Sequence, residues 1–365
     1  MINDKEDREE KLAIGEILDE IRLRLLNSSS KSSKSSKRNE FTDFSPEELL
    51  EQLNTYVTKA LYEDDDRKDL YTILDNNIQS LADGVVSLIR NDLISSNGND
   101  TSTILTQPFS SRYRLCDGGR FASQPTAPFC SGFLVAPDII ATAGHCIDGR
   151  SDLPTINFVF GFRMLNISSA EVVIPNKDIY YGIEIIKRKY ERSGNLDDYA
   201  LIRLDRPVTD HRVLNVRREG KIADGAKLFV LGHPSGLPLK YADNAEVNQN
   251  LRSNFFEATL DTFAGNSGSP VFNQDTNEVE GILVRGENDY TYDIARSCYT
   301  LDVYDANDRK GEDVQRSTTF SSFIDNSVTK RLVSNSGLDI SEKVESLESM
   351  ISSIAKDIKE IKDSL

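Results

Sequence analysis

The sequence predicts a mainly antiparallel β fold, barrel-like in architecture, and two observations carry that reading. From about residue 84 onward, short β-branched or aromatic runs recur: VVSLI, FCSGFLVAP, INFVFGF, AEVVIP, YALIRL, KLFVLG, GSPVFN and EVEGILV. Gly, Pro, Asn and Asp separate them, and short strands punctuated by such turns are the pattern of a barrel. No helical pattern of about 10–15 residues lies between the runs, as a βαβ fold would require.

Different elements are predicted at the two ends. Ile14, Ile17, Leu18, Ile21 and Leu25 make a helical stripe within residues 8–26, and the Ser/Lys-rich run at 27–39 then breaks every period as a linker. Ser45-Pro46-Glu47-Glu48 supplies an N-cap, a first-turn proline and a capping glutamate ahead of Leu50, Leu53, Val57 and Leu61. A second helix is expected over 46–62 and a third over 68–82, so residues 1–83 read as a helical N-terminal region. In the tail, Ile340, Val344, Leu347, Ile351, Ile354, Ile358, Ile361 and Leu365 step alternately by four and three. That heptad predicts a coiled-coil helix over 338–365, and isoleucine at both seam positions leans toward a homo-oligomer of three strands or more.

Charge and composition exclude several classes. The net charge of -16, from 43 basic and 59 acidic residues, opposes unspecific nucleic-acid binding. No apolar stretch reaches the roughly 18 residues of a membrane span. The acidic start MINDKEDREE lacks a basic, apolar secretory leader, so a cytoplasmic location is expected. Cys116, Cys130, Cys146 and Cys298 match no common zinc spacing, and there are only three histidines, so neither a metal nor a cofactor is expected. A reducing compartment would also keep these thiols free.

Chemistry concentrates in three separated stretches. His145 follows the apolar run DIIATA within AGHC, Asp198 opens DYALIRL, and Ser267 stands in AGNSGSPV. Imidazole can take a proton from a serine hydroxyl while a carboxylate holds its tautomer. Glycines beside the serine permit a tight loop whose amides can face a developing oxyanion. An α/β-hydrolase esterase would carry its nucleophile before the histidine, the reverse of the order here. His211, after a turn, and His233, in LGHPSG, read as structural.

CSGFLVAPDIIATAGHC (130–146), DDYALIRL (197–204) and GNSGSPVFN (265–273) together resemble the trypsin/chymotrypsin superfamily of serine endopeptidases, particularly the bacterial branch that includes glutamyl endopeptidases. The resemblance extends over 84–335. It implies two six-stranded antiparallel β-barrels, with His145 as general base, Asp198 as its orienting partner and Ser267 as nucleophile. Asp197 is the rival for the aspartate role, though the phase of D-x-A-L-I-x-L favours Asp198. Amides of Gly265 and Ser267 would form the oxyanion hole, and Cys130 and Cys146 bracket the first motif as a family disulfide does. Cys116 with Cys298 is a second pairing, unsupported by anything local. Asn266 stands where many relatives carry the aspartate that pairs with a newly cut N-terminus, so activation by that route is not expected.

For specificity, the resemblance puts Asp261 at the pocket floor, which favours Arg or Lys at the cleaved bond. Thr262 matches a threonine of glutamyl endopeptidases, but Leu283 replaces their pocket histidine. Arg285, ahead of Gly286 on the pocket-lining segment, would neutralise Asp261 if turned inward and change nothing if turned out. A protein or peptide substrate is implied. The alternatives are glutamyl-type specificity and a non-catalytic interaction protein on a protease fold, with a regulatory partner at the N-terminal helices.

Overall fold

The computed structural model describes residues 65–117, 119–260, 265–286, 290–301 and 311–324. The strands that matter here are β1 (Lys68–Asp69), β2 (Val85–Arg90), β3 (Cys130–Ala136), β4 (Ile139–Thr142), β5 (Ile156–Phe160), β6 (Ile179–Tyr190) and β7 (Asp198–Leu204). They are followed by β8 (Lys227–Gly232), β9 (Lys240–Gln249), β10 (Phe255–Ala258), β11 (Pro270–Asn273), β12 (Val279–Arg285), β13 (Tyr290–Asp293), β14 (Cys298–Leu301) and β15 (Glu312–Arg316). Strands β2 to β7 close an antiparallel barrel in the order β6-β7-β4-β3-β2-β5. The second barrel runs β9-β8-β11-β12-β15-β10 and closes by pairing β10 back onto β9.

The apolar runs supply both cores. Phe133, Leu134, Ile139, Ile140, Phe158, Leu201 and Ile202 are fully buried in the first barrel, and Val230, Phe256, Val271 and Val314 fill the second. Each such side chain contributes about 1.5–3 kcal/mol through burial. One large cluster runs on from the first barrel to Phe229, Phe272 and Ile282, so the barrels share apolar packing.

The helix expected over 68–82 is corrected. Helices whose full extent is described are short: α1 (Asn76–Ala82) has seven residues and α2 (Phe109–Tyr113) five. Over 68–82 the chain forms β1, a tight turn and then α1, which begins where Asp75 accepts from the amides of Asn77 and Ile78. Strand β1 pairs antiparallel with β9, so this stretch is stitched to the second barrel rather than forming one long helix. The helices expected at 8–26 and 46–62 and the coiled coil at 338–365 lie outside the described residues.

A buried polar network anchors the β1 segment. Arg67 pairs with Asp65 at 2.8 Å, Arg120 donates to the carbonyls of Asp65 and Arg67, and Lys240 pairs with both Asp69 and Gln124. Burial pulls the Lys240 ammonium down to about 8, against the counter-pull of Asp69. Ion pairs this enclosed are costly to break by removing one partner.

Candidate active site

His145 sits in a one-turn 3-10 segment, Gly144–Cys146, just after β4. A side chain at position 144 would overlap the Lys189 carbonyl of β6, which explains the glycine of the AGHC motif. Strand β7 lies between β4 and β6, with Ala200 opposite Thr142 and Asp198 opposite Tyr190. That register delivers Asp198 to His145. The imidazole Nδ1 lies 2.8 Å from Oδ2 of Asp198, and the His145 amide donates to Oδ1 at 2.9 Å. The Asp198 side chain is 1% exposed and that of His145 26%, so the carboxylate is enclosed while the ring reaches the surface. Nδ1 donating to Asp198 leaves Nε2 as the proton acceptor.

Asp197 points elsewhere. It accepts from Lys189 at 2.7 Å and from Asn254 at 2.8 Å. Burial raises its carboxyl pKa, but bonds from Lys189, Asn254 and Gln315 and the Lys189 charge outweigh this and hold it below the usual carboxylate range. Of the two aspartates, Asp198 faces the imidazole.

The Ser267 loop comes from the second barrel and is tied to the first. Ser131 of β3 donates its amide to the Ser267 carbonyl at 2.8 Å, and Cys146 Sγ lies 3.7 Å from the same oxygen. Gly265 and Gly268 hold φ values of +92° and +91°, in the region that favours glycine. Gly268 also passes so close to the Ser131 carbonyl that no β-carbon fits. Its amide donates to Leu283 at 2.8 Å, and Leu283 returns a bond to Ser269 at 3.0 Å, fastening the loop to β12. Asn266 is buried and accepts from the Ser269 hydroxyl at 3.0 Å, so its carboxamide oxygen has an internal partner. Among the described residues, no hydrogen bond joins the Ser267 hydroxyl to the His145 ring. Such bonds often tighten only when substrate is bound.

The remaining expected positions divide. Asp261 and Thr262 lie outside the described residues. Leu283 is buried in the second core. Arg285 is engaged by Asp313 at 2.6 Å and by the Leu196 carbonyl at 3.0 Å, with its guanidinium 5.3 Å from the Phe255 ring. A β-carbon at Gly286 would overlap the buried carboxylate of Glu312. Cys130 and Cys146 are disulfide-bonded, and so are Cys116 and Cys298, against the free thiols expected of a reducing compartment. The Cys130, His145 and Cys146 ligand atoms cluster within 4.8 Å, but the bridge takes both sulfurs, leaving no thiolate for a metal. His211 lies between Asp83 and Asp178, and His233 is enclosed, its Nδ1 2.9 Å from the Leu237 carbonyl.

One neighbour of the site carried no signal in the sequence. Gln315 of β15 is fully buried and reaches from the second barrel to accept the Asp198 amide at 2.9 Å. Its own amide donates to the Asn254 carbonyl and the Thr319 hydroxyl, each at 2.9 Å. Glu312, three residues earlier on the same strand, is buried against Gly286.

Two barrels with a histidine–aspartate pair on one and a glycine-held serine loop on the other define the trypsin-like serine-protease fold. Residues 130–282 match the family model of the trypsin-like peptidase domain. A trypsin-like protease of Streptomyces glaucescens is 28% identical over 187 residues, covering 43% of this chain and 66% of that one, just under two thirds of its length. Among solved structures, a Glu endopeptidase in complex with MPD aligns over 73% of this chain and 98% of its own at 17% identity, with a TM-score of 0.41. Human heparin binding protein aligns over 67% and 90% at 15% identity, with a TM-score of 0.42.

Proposed function

We propose that this chain is a serine endopeptidase acting through Ser267, His145 and Asp198. The observation that carries the reading is the 2.8 Å contact between His145 and an enclosed Asp198, beside the loop that bears Ser267. Ser267 Oγ attacks the peptide carbonyl as His145 Nε2 takes its proton, and Asp198 stabilises the resulting imidazolium. The oxyanion settles against the amides of Gly265 and Ser267. His145 then protonates the leaving amine, and water hydrolyses the acyl-enzyme with the roles reversed.

Cleavage after Arg or Lys is the specificity we assign. Asp261 motivates it from the sequence, and Glu312 adds a buried carboxylate against Gly286. Glutamyl specificity fits less well, because Leu283 stands where an imidazole would be needed.

An active-site-directed phosphonate tests the chemistry: the folded wild type is expected to be labelled, and Ser267→Ala to remain unlabelled. A second reading, a binding protein without turnover, draws on the missing hydroxyl–imidazole hydrogen bond, and an unlabelled but folded wild type would establish it. A peptide-library profile tests specificity. Asp261→Ala and Glu312→Gln should each weaken the Arg/Lys preference, and a preference intact in both variants rules these acids out as its source.

A further inference from the structure

The acidic balance of the chain reverses sharply beside His145. The end of β6 reads Lys187-Arg188-Lys189-Tyr190, and Arg192 follows shortly after. Lys189 is committed to Asp197, and Lys187 lies over the Phe323 ring at 4.8 Å. Arg188 and Arg192 are placed differently. Arg188 donates Nε to the Gly144 carbonyl at 2.9 Å, and Arg192 donates Nε to the Tyr190 hydroxyl at 3.2 Å. Their guanidinium carbons lie 5.8 and 5.4 Å from the Tyr190 ring centre. Among the described residues, neither guanidinium forms an ion pair with a carboxylate.

Tyr190 connects this pair to the chemistry. Its ring centre is 5.9 Å from that of His145, and the residue is 38% exposed, so it forms an open aromatic wall beside the imidazole. Two cations gathered around one ring repel each other, the more so where substrate thins the water. A carboxylate between them relieves the repulsion and satisfies guanidinium donors in the fork geometry that suits it. Glu191, between them in sequence, has its amide bound to the Asp197 carbonyl.

We infer that Arg188, Tyr190 and Arg192 form a substrate subsite beside His145 that receives an aspartate or glutamate side chain within a residue or two of the cleaved bond. This rests on the endopeptidase reading above and narrows its substrate class. Tyr190 supplies an apolar face for the methylene stem, and the two guanidiniums supply the charge partners.

Two measurements on the full chain test it. In the first, peptides identical except for Glu, Gln or Lys at one position near the cleaved bond are compared by kcat/KM. At one such position the Glu peptide is expected to exceed the Gln peptide by about fivefold, the size of one partly exposed ion pair. The advantage should shrink as ionic strength rises from about 0.05 to about 0.5 M. Arg192→Glu, an exposed substitution, should reverse the ranking in favour of Lys. Equal rates for Glu and Gln at every position would overturn the subsite. In the second, fluorescent forms of the same peptides are titrated against Ser267→Ala and followed by anisotropy. Tighter binding of the Glu peptide, reversed in Ser267→Ala/Arg192→Glu, supports the subsite without any turnover, and equal affinities overturn it. Should wild type cleave nothing while this binding preference persists, the endopeptidase reading fails and the subsite stands.

Discussion

Asp198 is held from three directions: its carboxylate meets both the ring and the amide of His145, and its own amide meets Gln315. Replacing it by asparagine preserves shape but reverses the tautomer that Nδ1 requires, so Asp198→Asn is expected to lower kcat by about 10⁴-fold. A drop below tenfold in steady-state assays would show that the carboxylate does not orient the base. Gln315→Ala acts differently, leaving the Asp198 amide without the acceptor it meets here, whereas the Asn254 carbonyl keeps the Arg316 amide. A buried unsatisfied group costs about 1–3 kcal/mol, a loss that urea unfolding would register as a lower midpoint, and an unchanged midpoint would contradict it. These residues differ in how far the sequence discloses them. His145, Asp198 and Ser267 stand in local motifs whose spacing can be read along the chain. Gln315 lies 117 positions from Asp198 in a stretch rich in charge, EDVQR, and only barrel closure makes them neighbours.

Among the elements, apolar runs disclosed β2, β3, β5, β7, β8, β11 and β12, because each strand there has buried residues on both faces. Strands β9 and β15 escaped, since KYADNAEVNQ and EDVQR mix charged residues with apolar ones. Their polar side chains are satisfied by distant partners, as Lys240 is by Asp69, and no local pattern signals that. The segment after β7 offers an element with a pH signature. There His211 stacks on Phe160 at 4.1 Å and bonds Asp83, at the end of α1, at 2.9 Å and Asp178, ahead of β6, at 3.2 Å. Burial lowers its pKa, but the bonds and charges of Asp83 and Asp178 outweigh it and raise the imidazole above its ordinary value. Because the folded pKa is the higher one, the stabilisation is complete below the unfolded value of about 6.5 and is lost as pH rises through the folded value. Removing the imidazole with His211→Gln should therefore cost more stability at pH of about 5.5 than at about 8.5. Equal deficits at the two pH values, read as unfolding midpoints, would dismiss the titration. His233 acts in the opposite sense in the wild type: burial takes it down to about 4, so its contribution is lost as pH falls from about 6.5 toward that value.

Across the whole molecule, the site depends on how separate chain segments are held together. Ser131 grips the Ser267 loop, Gln315 grips Asp198, and the shared apolar cluster lies between the barrels. The two disulfides add covalent ties on very different scales. Cys130–Cys146 spans 16 positions and braces the turn that carries His145, whereas Cys116–Cys298 spans 182 and joins the segment after α2 to β14. That long bridge coincides with local pairing, since the Cys116 amide donates to the Tyr299 carbonyl at 2.9 Å and Tyr113 stacks on Tyr290 at 5.0 Å. Cross-links constrain the unfolded chain more as the loop they close lengthens, by about 3 kcal/mol for the short one and about 5 for the long one in the chain-entropy model. Replacing Cys116 and Cys298 together by serine should therefore lower the urea midpoint more than replacing Cys130 and Cys146, provided each variant keeps its remaining bridge. Because the short bridge touches the carbonyl of Ser267 and the long one does not, activity should divide the other way, with kcat falling further when Cys130 and Cys146 are replaced. A dithiol reductant in excess supplies the electrons and protons to open both bridges, and should produce both losses in the wild type. If thiol titration shows four free cysteines while midpoint and kcat stay unchanged, the bridges do not hold this site together.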